Sequence, residues 1–304
     1  MNPPAFRPRS GALSILEVIQ RSTDYLARRG VESPRLQVEL LLAHVLQLPR
    51  LKLYLQFDRN LGPAELDRLR ELVRRRGNRE PLQHLTGSTG FLGHELQVTP
   101  DVLVPRPETE RLAQLALERL AARPGEPRAL DFGTGSGCLA ISLAAGVPAA
   151  RVTALDISPA ALAVAAANAR QAGVAERLRF VEGDGFQQAP EEVGRGGRFG
   201  LVVSNPPYLA SAEIATLEPE VRDHDPRVAL DGGPDGLDVH RRLATAAGAW
   251  LEPDGWLLAE FGDDQAPALG EIYRAAGWRD WTVEKDLSGR ERVLIVRPPP
   301  ALPP

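Results

Sequence analysis

Cysteine is almost absent from this chain. Cys138 is the only one, so an intramolecular disulfide and a cysteine-based metal cluster are both excluded. Because disulfides belong mainly to proteins of oxidising compartments, this scarcity favours a cytoplasmic setting. No apolar stretch is long enough for a membrane span, and residues 1–10 are not followed by the apolar core of a signal peptide.

An excess of positive charge is also missing. The formal net charge is -4 and the pI is about 5.8. Proteins that hold nucleic acid by its phosphates usually carry a basic balance or a strongly basic patch, so direct nucleic-acid binding is not expected. One short basic run, Arg74, Arg75 and Arg76, lies at the predicted end of a helix. Positive side chains suit that end of a helix dipole, and we interpret the run as solvated surface.

The order of predicted elements divides the chain into two folded regions with a tail at each side. Residues 1–10 and 298–304 are proline-rich and are predicted to be disordered. Residues 11–84 carry helical periodicity alone and predict a small bundle. Residues 85–107 predict a β-hairpin linker. Residues 108–297 alternate strands and helices, which predicts an α/β fold with a mostly parallel sheet.

Several local signals refine this outline. Ser33 and Pro34 predict the start of a helix, with serine as the N-cap and proline in the first helical position. The glycine-rich segment 193–198 predicts a mobile loop. His84 and His94 lie in or near the predicted linker, and lone histidines of this kind are more often structural than ligands, so we expect no metal site.

A glycine-rich turn follows the first predicted strand of the α/β region and precedes a helix. Its residues are Asp131, Phe132, Gly133, Thr134, Gly135, Ser136 and Gly137. Glycines let the backbone turn tightly and approach a ligand, and parallel sheets bind ligands at the carboxyl ends of their strands. Asp156 ends the next strand, where a carboxylate can accept both hydroxyls of a ribose. The turn therefore predicts a nucleotide site.

The glycine turn alone leaves two ligand classes open. Gly135, Gly137 and Ala140 have the spacing of a dinucleotide fingerprint, which is compatible with a nicotinamide cofactor. Asp131 favours a cationic ligand instead, because a carboxylate at that place repels a pyrophosphate and attracts a sulfonium or an ammonium group.

The third predicted strand ends at Asp184, which Gly185 and Phe186 follow. A carboxylate at this place can meet the amino group of an adenine, and the Phe186 ring can pack on the adenine. A turn aspartate and a core phenylalanine are the alternative interpretation.

The fourth predicted strand runs into Asn205-Pro206-Pro207-Tyr208. The two prolines form a rigid corner that presents carbonyl acceptors and no competing N–H, and the Asn205 side chain adds another acceptor. Two acceptors aimed at the two hydrogens of a carboxamide or exocyclic amine can draw this poor nucleophile towards tetrahedral geometry, in line with the methyl of a sulfonium donor. Tyr208 can stack on the flat amide and exclude water. A plain proline turn is the alternative, but the expected position beside the glycine turn favours function.

These residues together resemble the bacterial release-factor glutamine methyltransferases, the protein-(glutamine-N5) methyltransferases. The resemblance covers about residues 14–297 and includes three further segments, at 80–87, 104–110 and 229–237. The Asn-Pro-Pro-Tyr motif is shared with adenine-DNA and guanine-RNA methyltransferases, whereas Pro-Arg-Pro-Glu-Thr-Glu within 104–110 is more specific. The sister family that acts on a ribosomal-protein glutamine is similar but departs at that segment.

The resemblance implies a seven-stranded Rossmann-like class I methyltransferase domain with a small N-terminal helical bundle for recognition of the protein substrate. It implies S-adenosyl-L-methionine as methyl donor, S-adenosyl-L-homocysteine as product, and the glutamine of the Gly-Gly-Gln motif of peptide chain release factors as substrate. By this analogy the Asn205 side chain and the Pro206 carbonyl hold the glutamine amide, and Pro207 and Tyr208 complete the catalytic site. Arg106 is a further candidate substrate contact.

The same analogy assigns the donor to Gly133–Gly137 and Asp156, with Asn205 at its border. Asp184, Gly185 and Phe186 are then the adenine end of the donor site. Some relatives carry an aromatic residue where this chain has Gly185, so that ring stacking falls to Phe186 or to another residue.

Three other functions fit parts of the sequence. A nucleic-acid N-methyltransferase would use the same tetrapeptide on a flipped base. A nicotinamide oxidoreductase would use the glycine turn and leave the tetrapeptide idle, and a catalytically silent module would use the helical region for docking. The loop Asp223-His224-Asp225 suggests an acid–base pair, but we interpret it as solvated. We expect a monomer that does not bind a membrane.

Overall fold

A computed structural model describes residues 13–187 and 197–298. The predicted N-terminal tail lies outside the described residues. So do the predicted C-terminal tail, apart from Pro298, and the predicted mobile loop, apart from Gly197 and Arg198. Within the described part of the chain, no helix combines the length and the apolar character needed to cross a membrane. The described residues divide into two compact units, one within Met1–Gly87 and Glu218–His224, the other within Ser88–Leu217 and Asp225–Pro304.

The first unit is helical, in agreement with its sequence periodicity. Its helices are α1 (Ile15–Arg28), α2 (Pro34–Leu46), α3 (Arg50–Leu53), α4 (Pro63–Gly77) and α5 (Leu82–Thr86), with the short helix Pro219–Arg222. Apolar side chains of α1, α2 and α4 form one buried cluster, which includes Ile19, Leu41 and Leu69. A capping box opens α1, because the Ser14 hydroxyl accepts from the Glu17 N–H and the Glu17 side chain accepts from the Ser14 N–H.

Two predictions for this unit are wrong. Ser33 does not cap α2 with its side chain, because its φ of 45° places it in the left-handed region instead of the extended conformation of an N-cap. Pro34 alone provides the expected start. Arg76 is not solvated surface: it is 4% exposed and donates to Glu220 Oε1 at 2.6 Å. Buried charges require such a partner, and this one lies 144 positions away in the sequence.

The second unit contains a hairpin and a large sheet. The hairpin is β1 (Ser88–Phe91) paired antiparallel with β2 (His94–Gln97), as the sequence predicts. The large sheet, as the described residues form it, has seven strands in the order β5-β4-β3-β6-β7-β9-β8. These are β3 (Arg128–Phe132), β4 (Arg151–Asp156), β5 (Leu178–Glu182), β6 (Phe199–Ser204), β7 (Leu251–Glu260), β8 (Arg279–Lys285) and β9 (Glu291–Arg297). Only the pairs of β9 are antiparallel among these neighbours. The predicted seven-stranded Rossmann-like fold is confirmed.

Helices cover both faces of this sheet. They are α6 (Pro107–Ala121), α7 (Cys138–Gly146), α8 (Pro159–Gln171), α9 (Asp238–Trp250) and α10 (Ala266–Ala275). Every residue of β6 is buried, as expected for a strand covered on both sides. Because successive side chains point to opposite faces, Leu201 and Val203 join the core with α6 and α7, and Val202 joins the core with α9 and α10.

Asn168 joins the hairpin to the glycine turn through one buried side chain. Its Oδ1 accepts from the Gln97 N–H at 2.7 Å, and its Nδ2 donates to the carbonyls of Gln97 at 3.0 Å and Ser136 at 2.9 Å. The side chain is fully buried in the alanine-rich helix α8. Every hydrogen bond that this amide makes is therefore to a backbone group of a neighbouring segment.

Replacing Asn168 tests how much its amide contributes to the stability of the fold. We expect Asn168→Ala to lower the free energy of unfolding by at least about 2 kcal/mol, because it removes hydrogen bonds to the backbone of Gln97 and to the buried carbonyl of Ser136. Urea unfolding followed by circular dichroism measures the change. The exposed neighbour Arg170 supplies the control, since Arg170→Ala should leave the midpoint almost unchanged, and equal midpoints for the two variants would contradict this account.

Candidate active site

The site lies where two adjacent parallel strands end. β3 pairs with β6 in a register that sets Phe132 beside Ser204, and the Ser204 hydroxyl donates to the Phe132 carbonyl at 2.7 Å. The glycine turn follows β3 and the tetrapeptide follows β6. Both segments therefore emerge side by side at the carboxyl edge, where the strand order reverses and open sheets bind ligands. A cavity opens at this edge, and residues of both segments line it.

The glycine turn is held open by its own backbone. Gly133 and Gly135 have φ of 75° and 53°, and a Cβ added to either would meet no atom within 4 Å. The N–H groups of Gly133 and Thr134 both donate to the Leu155 carbonyl at 2.9 Å. Gly137, with φ of 84°, is constrained by packing instead, because a Cβ there would lie 3.1 Å from Ala165 Cβ on α8. The turn thus leaves space for a ligand above Gly133 and Gly135.

Asp131 lies beneath the turn and not in the cavity wall. Its side chain is fully buried, and Oδ2 accepts from the Thr134 hydroxyl at 2.6 Å and from the Ala140 N–H at 3.0 Å. Burial raises its pKa to about 7, although these two hydrogen bonds oppose the shift. This placement differs from the expected direct contact with a ligand: the carboxylate ties the turn to the start of α7.

Asp156 does line the cavity, at the end of β4. Its Oδ2 accepts from the Gly135 N–H at 2.8 Å and its Oδ1 accepts from the Ser158 N–H at 2.9 Å. Each carboxylate oxygen can accept more than one hydrogen bond, so both remain able to receive a hydroxyl from a ligand. The side chain is thereby oriented before any ligand arrives.

The expected adenine residues are already engaged with one another. Asp184 and Phe186 line the cavity, but Arg242 donates to Asp184 Oδ2 at 3.0 Å and its guanidinium lies 3.9 Å from the centre of the Phe186 ring. The Phe186 ring also packs against Phe132, at 4.9 Å between centroids. Gly185 packs against the Phe132 ring, because a Cβ on Gly185 would lie 2.6 Å from that ring. Arg242, in the cavity wall, was missed by the sequence reasoning.

Asn205 and Pro207 are the members of the tetrapeptide in the cavity wall that the described residues form. Pro206 is buried, and Tyr208 is half-buried with its hydroxyl donating to Glu260 Oε1 at 3.2 Å. The tyrosine is therefore anchored through its hydroxyl. Its predicted stacking over a flat amide stays a prediction.

A glycine cradle, formed by Gly232 and Gly236, supports the backbone of the tetrapeptide. A Cβ on Gly232 would lie 2.7 Å from the Pro207 carbonyl oxygen, and a Cβ on Gly236 would lie 2.2 Å from that of Tyr208. Gln265 completes the support, since its Nε2 donates to the Tyr208 carbonyl at 2.9 Å. The segment 229–237, which carries part of the family resemblance, is thus a close backbone support for the corner.

Arg106 also lines the cavity, and its Nη2 donates to Asp225 Oδ2 at 2.6 Å. Asp225 is 7% exposed, so the prediction that the Asp223-His224-Asp225 loop is solvated throughout is wrong for this residue. The ion pair fixes the guanidinium at the cavity edge, where its remaining N–H groups can still donate.

Two polar residues behind Asn205 were not predicted as part of the site. Thr109 on α6 accepts from Asn205 Nδ2 at 3.0 Å and donates to Glu260 Oε2 at 2.8 Å. Glu260, at the end of β7, is 1% exposed. The sequence did carry a signal for it, because a carboxylate within the apolar stretch from Leu257 to Phe261 is unusual unless it is paired.

The glycine cradle is testable through its tolerance of a methyl group. We expect Gly232→Ala to lower the free energy of unfolding by about 1–3 kcal/mol, the usual range for overpacking, because backbone atoms cannot yield as a side chain can. Gly90→Ala is the control, since a Cβ at Gly90 would meet nothing within 4 Å. Thermal unfolding in parallel would detect the difference, and an unperturbed Gly232→Ala protein would mean that the cradle is not tight.

Comparison with known proteins shows which family the chain resembles. The model described as PrmC N-terminal domain matches residues 17–87, and the one described as methyltransferase small domain matches residues 108–218. A release factor glutamine methyltransferase of Deinococcus radiodurans is 46% identical over 94% of this chain and 99% of its own length. One of Geobacter sulfurreducens is 42% identical over 92% of this chain and 95% of its own length.

A solved structure adds support for the fold alone. A methyltransferase of Pyrococcus furiosus has a TM-score of 0.50 and 20% sequence identity, and the match covers 68% of this chain and 90% of that one. Identity above 40% across nearly the whole length is the stronger finding. On that ground the chain belongs to the release factor glutamine methyltransferase family.

Proposed function

We propose that this chain transfers a methyl group from S-adenosyl-L-methionine to the side-chain amide nitrogen of the glutamine in the Gly-Gly-Gln motif of peptide chain release factors. The observation that carries the proposal is the orientation of Asn205 at the cavity wall. Its Nδ2 is engaged by Thr109, which leaves Oδ1 as the amide atom that can accept a hydrogen bond from a substrate.

The residues around the cavity fit the donor by shape and charge. The space above Gly133 and Gly135 admits a ligand close to the backbone, and Asp156 is oriented for the ribose hydroxyls. Arg242 faces the same cavity but is paired with Asp184, so no free cation of the wall described here invites a pyrophosphate. A cationic sulfonium suits this acidic surrounding better than a nicotinamide dinucleotide does.

The adenine end is best assigned to the group of Asp184, Phe186 and Arg242. Since the Phe186 ring is covered by the Arg242 guanidinium on one side, a planar base meets the edge of this group or the guanidinium plane. Arginine stacks well on flat rings, so Arg242 is the better platform. Thr134 and Ser136 of the turn contribute polar contacts near the other end of the donor.

The chemistry follows from the geometry of the acceptors. S-adenosyl-L-methionine, when bound, supplies a methyl group on a cationic sulfur. Asn205 Oδ1 and the Pro206 carbonyl accept hydrogen bonds from the two N–H groups of the glutamine amide and hold its nitrogen in line with that methyl. Because the acceptors are fixed in advance, they stabilise positive charge that develops on nitrogen without reorganisation. No base is required before transfer, since the nitrogen becomes acidic only once it is alkylated.

The substrate end of the cavity presents Arg106 and Pro207, and Tyr208 follows Pro207 directly in the chain. Arg106, fixed by Asp225, can donate to backbone carbonyls of a glycine-rich loop. Glycines in the substrate have no side chains to obstruct the approach of that loop to the rigid corner.

We further expect the enzyme to act as a monomer and without direct contact to nucleic acid.

The central experiment combines mass spectrometry with one substitution. Wild-type protein, donor and release factor should yield a single added methyl on the glutamine. We expect Asn205→Ala to lower kcat at least about a hundredfold, the usual loss when one oriented hydrogen bond in a transition state is removed. Donor affinity measured by calorimetry should change little. A release factor that stays unmodified by the wild-type protein rejects the proposal.

Donor binding is tested separately at Asp156. We expect Asp156→Ala to weaken the affinity for S-adenosyl-L-methionine at least about tenfold, since it removes the acceptor for the ribose hydroxyls. Isothermal calorimetry with NAD is the comparison, because the nicotinamide alternative predicts binding there instead. Tight binding of NAD and none of S-adenosyl-L-methionine by the wild-type protein would reverse the assignment.

A further inference from the structure

Glu260 is a buried charged group for which the proposed transfer has no use. It is 1% exposed at the end of β7, where apolar neighbours dominate. A carboxylate is costly to bury unless its oxygens find donors. Both oxygens do: Oε2 accepts from the Thr109 hydroxyl at 2.8 Å and Oε1 accepts from the Tyr208 hydroxyl at 3.2 Å. The two hydroxyls belong to two different segments of the site.

The direction of these hydrogen bonds matters more than their number. A threonine hydroxyl has one hydrogen, and here Glu260 takes it. The same oxygen can then act only as an acceptor towards Asn205, whose Nδ2 lies 3.0 Å away. The asparagine amide must therefore present its NH₂ to Thr109 and its oxygen to the cavity. Rotation by 180° would set an oxygen against an oxygen at the threonine and a donor against the substrate.

We infer that Glu260 and Thr109 are positioning residues that set the amide of Asn205 in the one orientation that can accept from a substrate nitrogen. The catalytic role of this inference rests on the proposed function. The chain of hydrogen bonds from Glu260 through Thr109 to Asn205, called the relay below, is present in the protein without any ligand. The Tyr208 hydroxyl donates to the second oxygen of Glu260, Oε1, at 3.2 Å and so provides a partner for the oxygen that Thr109 does not contact.

The surroundings of Glu260 determine when this relay operates. Thr109 and Glu108 face it from α6, Tyr208 from the tetrapeptide, and Arg292 from β9. On α9, His240 Nε2 lies 3.1 Å from the backbone carbonyl of Glu260, and burial lowers the pKa of this histidine to about 4. The imidazole is therefore neutral near pH 7 and adds no charge there.

Burial raises the pKa of Glu260 to about 7, while the Thr109 and Tyr208 hydrogen bonds and Arg292 oppose the shift. Above that pH the carboxylate accepts both hydroxyls and the relay has the direction described. Below it the protonated carboxyl must donate one hydrogen bond, and the hydroxyl that receives it turns away. If that hydroxyl is Thr109, its hydrogen points to Asn205 and the preferred amide orientation is lost. The relay thus weakens as the pH falls through about 7.

The relay can be observed without catalysis, by nuclear magnetic resonance of side-chain amides. The chain has five asparagines, so selective ¹⁵N labelling of asparagine gives a sparse spectrum, in which Asn205→Ala assigns the signals of interest. We expect the Asn205 Nδ2 signals to titrate near pH 7 in the wild-type protein. Glu260→Gln should abolish the titration, whereas the variant Asp131→Asn should leave it, which separates Glu260 from the other buried carboxylate with a similar pKa.

Kinetics with release factor then measure the consequence. Thr109→Val and Glu260→Gln should each lower kcat about tenfold or more, the usual effect of removing a residue that orients a reacting group, with donor affinity within about twofold of wild type. Thr109→Ser keeps the hydroxyl and should restore most of kcat. Thr153→Val, at a buried threonine of β4, controls for a methyl in place of a hydroxyl in the core.

The outcomes distinguish a failure of the relay from a failure of the proposed function. Wild-type kcat in a folded Thr109→Val protein, beside an inactive Asn205→Ala protein, would overturn the relay and leave the proposed function standing. A wild-type protein that titrates as expected but methylates no release factor would support the relay and reject the proposed function. Thermal unfolding of every variant identifies any that lose activity by losing the fold. For Glu260→Gln, Asn205 signals that still titrate near pH 7 would overturn the relay even if kcat falls.

Discussion

The pairing of β3 with β6 is the constraint on which the site depends. Their parallel register sets Phe132 beside Ser204, the last residues of the two strands. The residue that follows each strand therefore begins a functional segment at the same edge of the sheet. One segment offers open backbone and the other a rigid set of acceptors. Strand pairing is maintained by many backbone hydrogen bonds and by apolar packing on both faces, which makes the distance between the segments a property of the core. Chemistry that demands precise alignment is thereby placed on the least deformable part of the unit.

The polar residues near the cavity act mainly on one another before they act on a ligand. Asp131 ties the turn to α7, two backbone N–H groups orient the Asp156 carboxylate, and Asp225 holds the Arg106 guanidinium. Such arrangements reduce the side-chain entropy that would otherwise be lost on binding. Their cost is the burial of several carboxylates, which is acceptable because each has donors supplied by the fold.

Much of this architecture could be predicted from local sequence, and the exceptions have a common cause. Strand and helix limits follow from periodicity and from local start signals. Ser158 before Pro159 is an example, because the serine hydroxyl accepts from the Ala161 N–H at the start of α8. The partners described above for Glu260, Asn168 and Arg76 escaped prediction because they lie 32 to 151 positions away in the sequence, and no local pattern encodes such pairings. Asp131 was assigned to the cavity on charge alone, but its depth beneath the turn depends on how α7 leaves β3.

The Asn168 amide has a consequence for how the second unit opens. It bonds to Gln97 of the hairpin and to Ser136 of the glycine turn with the same nitrogen, so neither segment can detach without disturbing the other. Hairpins at the border of a domain ordinarily fray early and alone. Here fraying of β2 is joined to loosening of the turn, and amide protons of both segments should exchange with solvent as a single cooperative event.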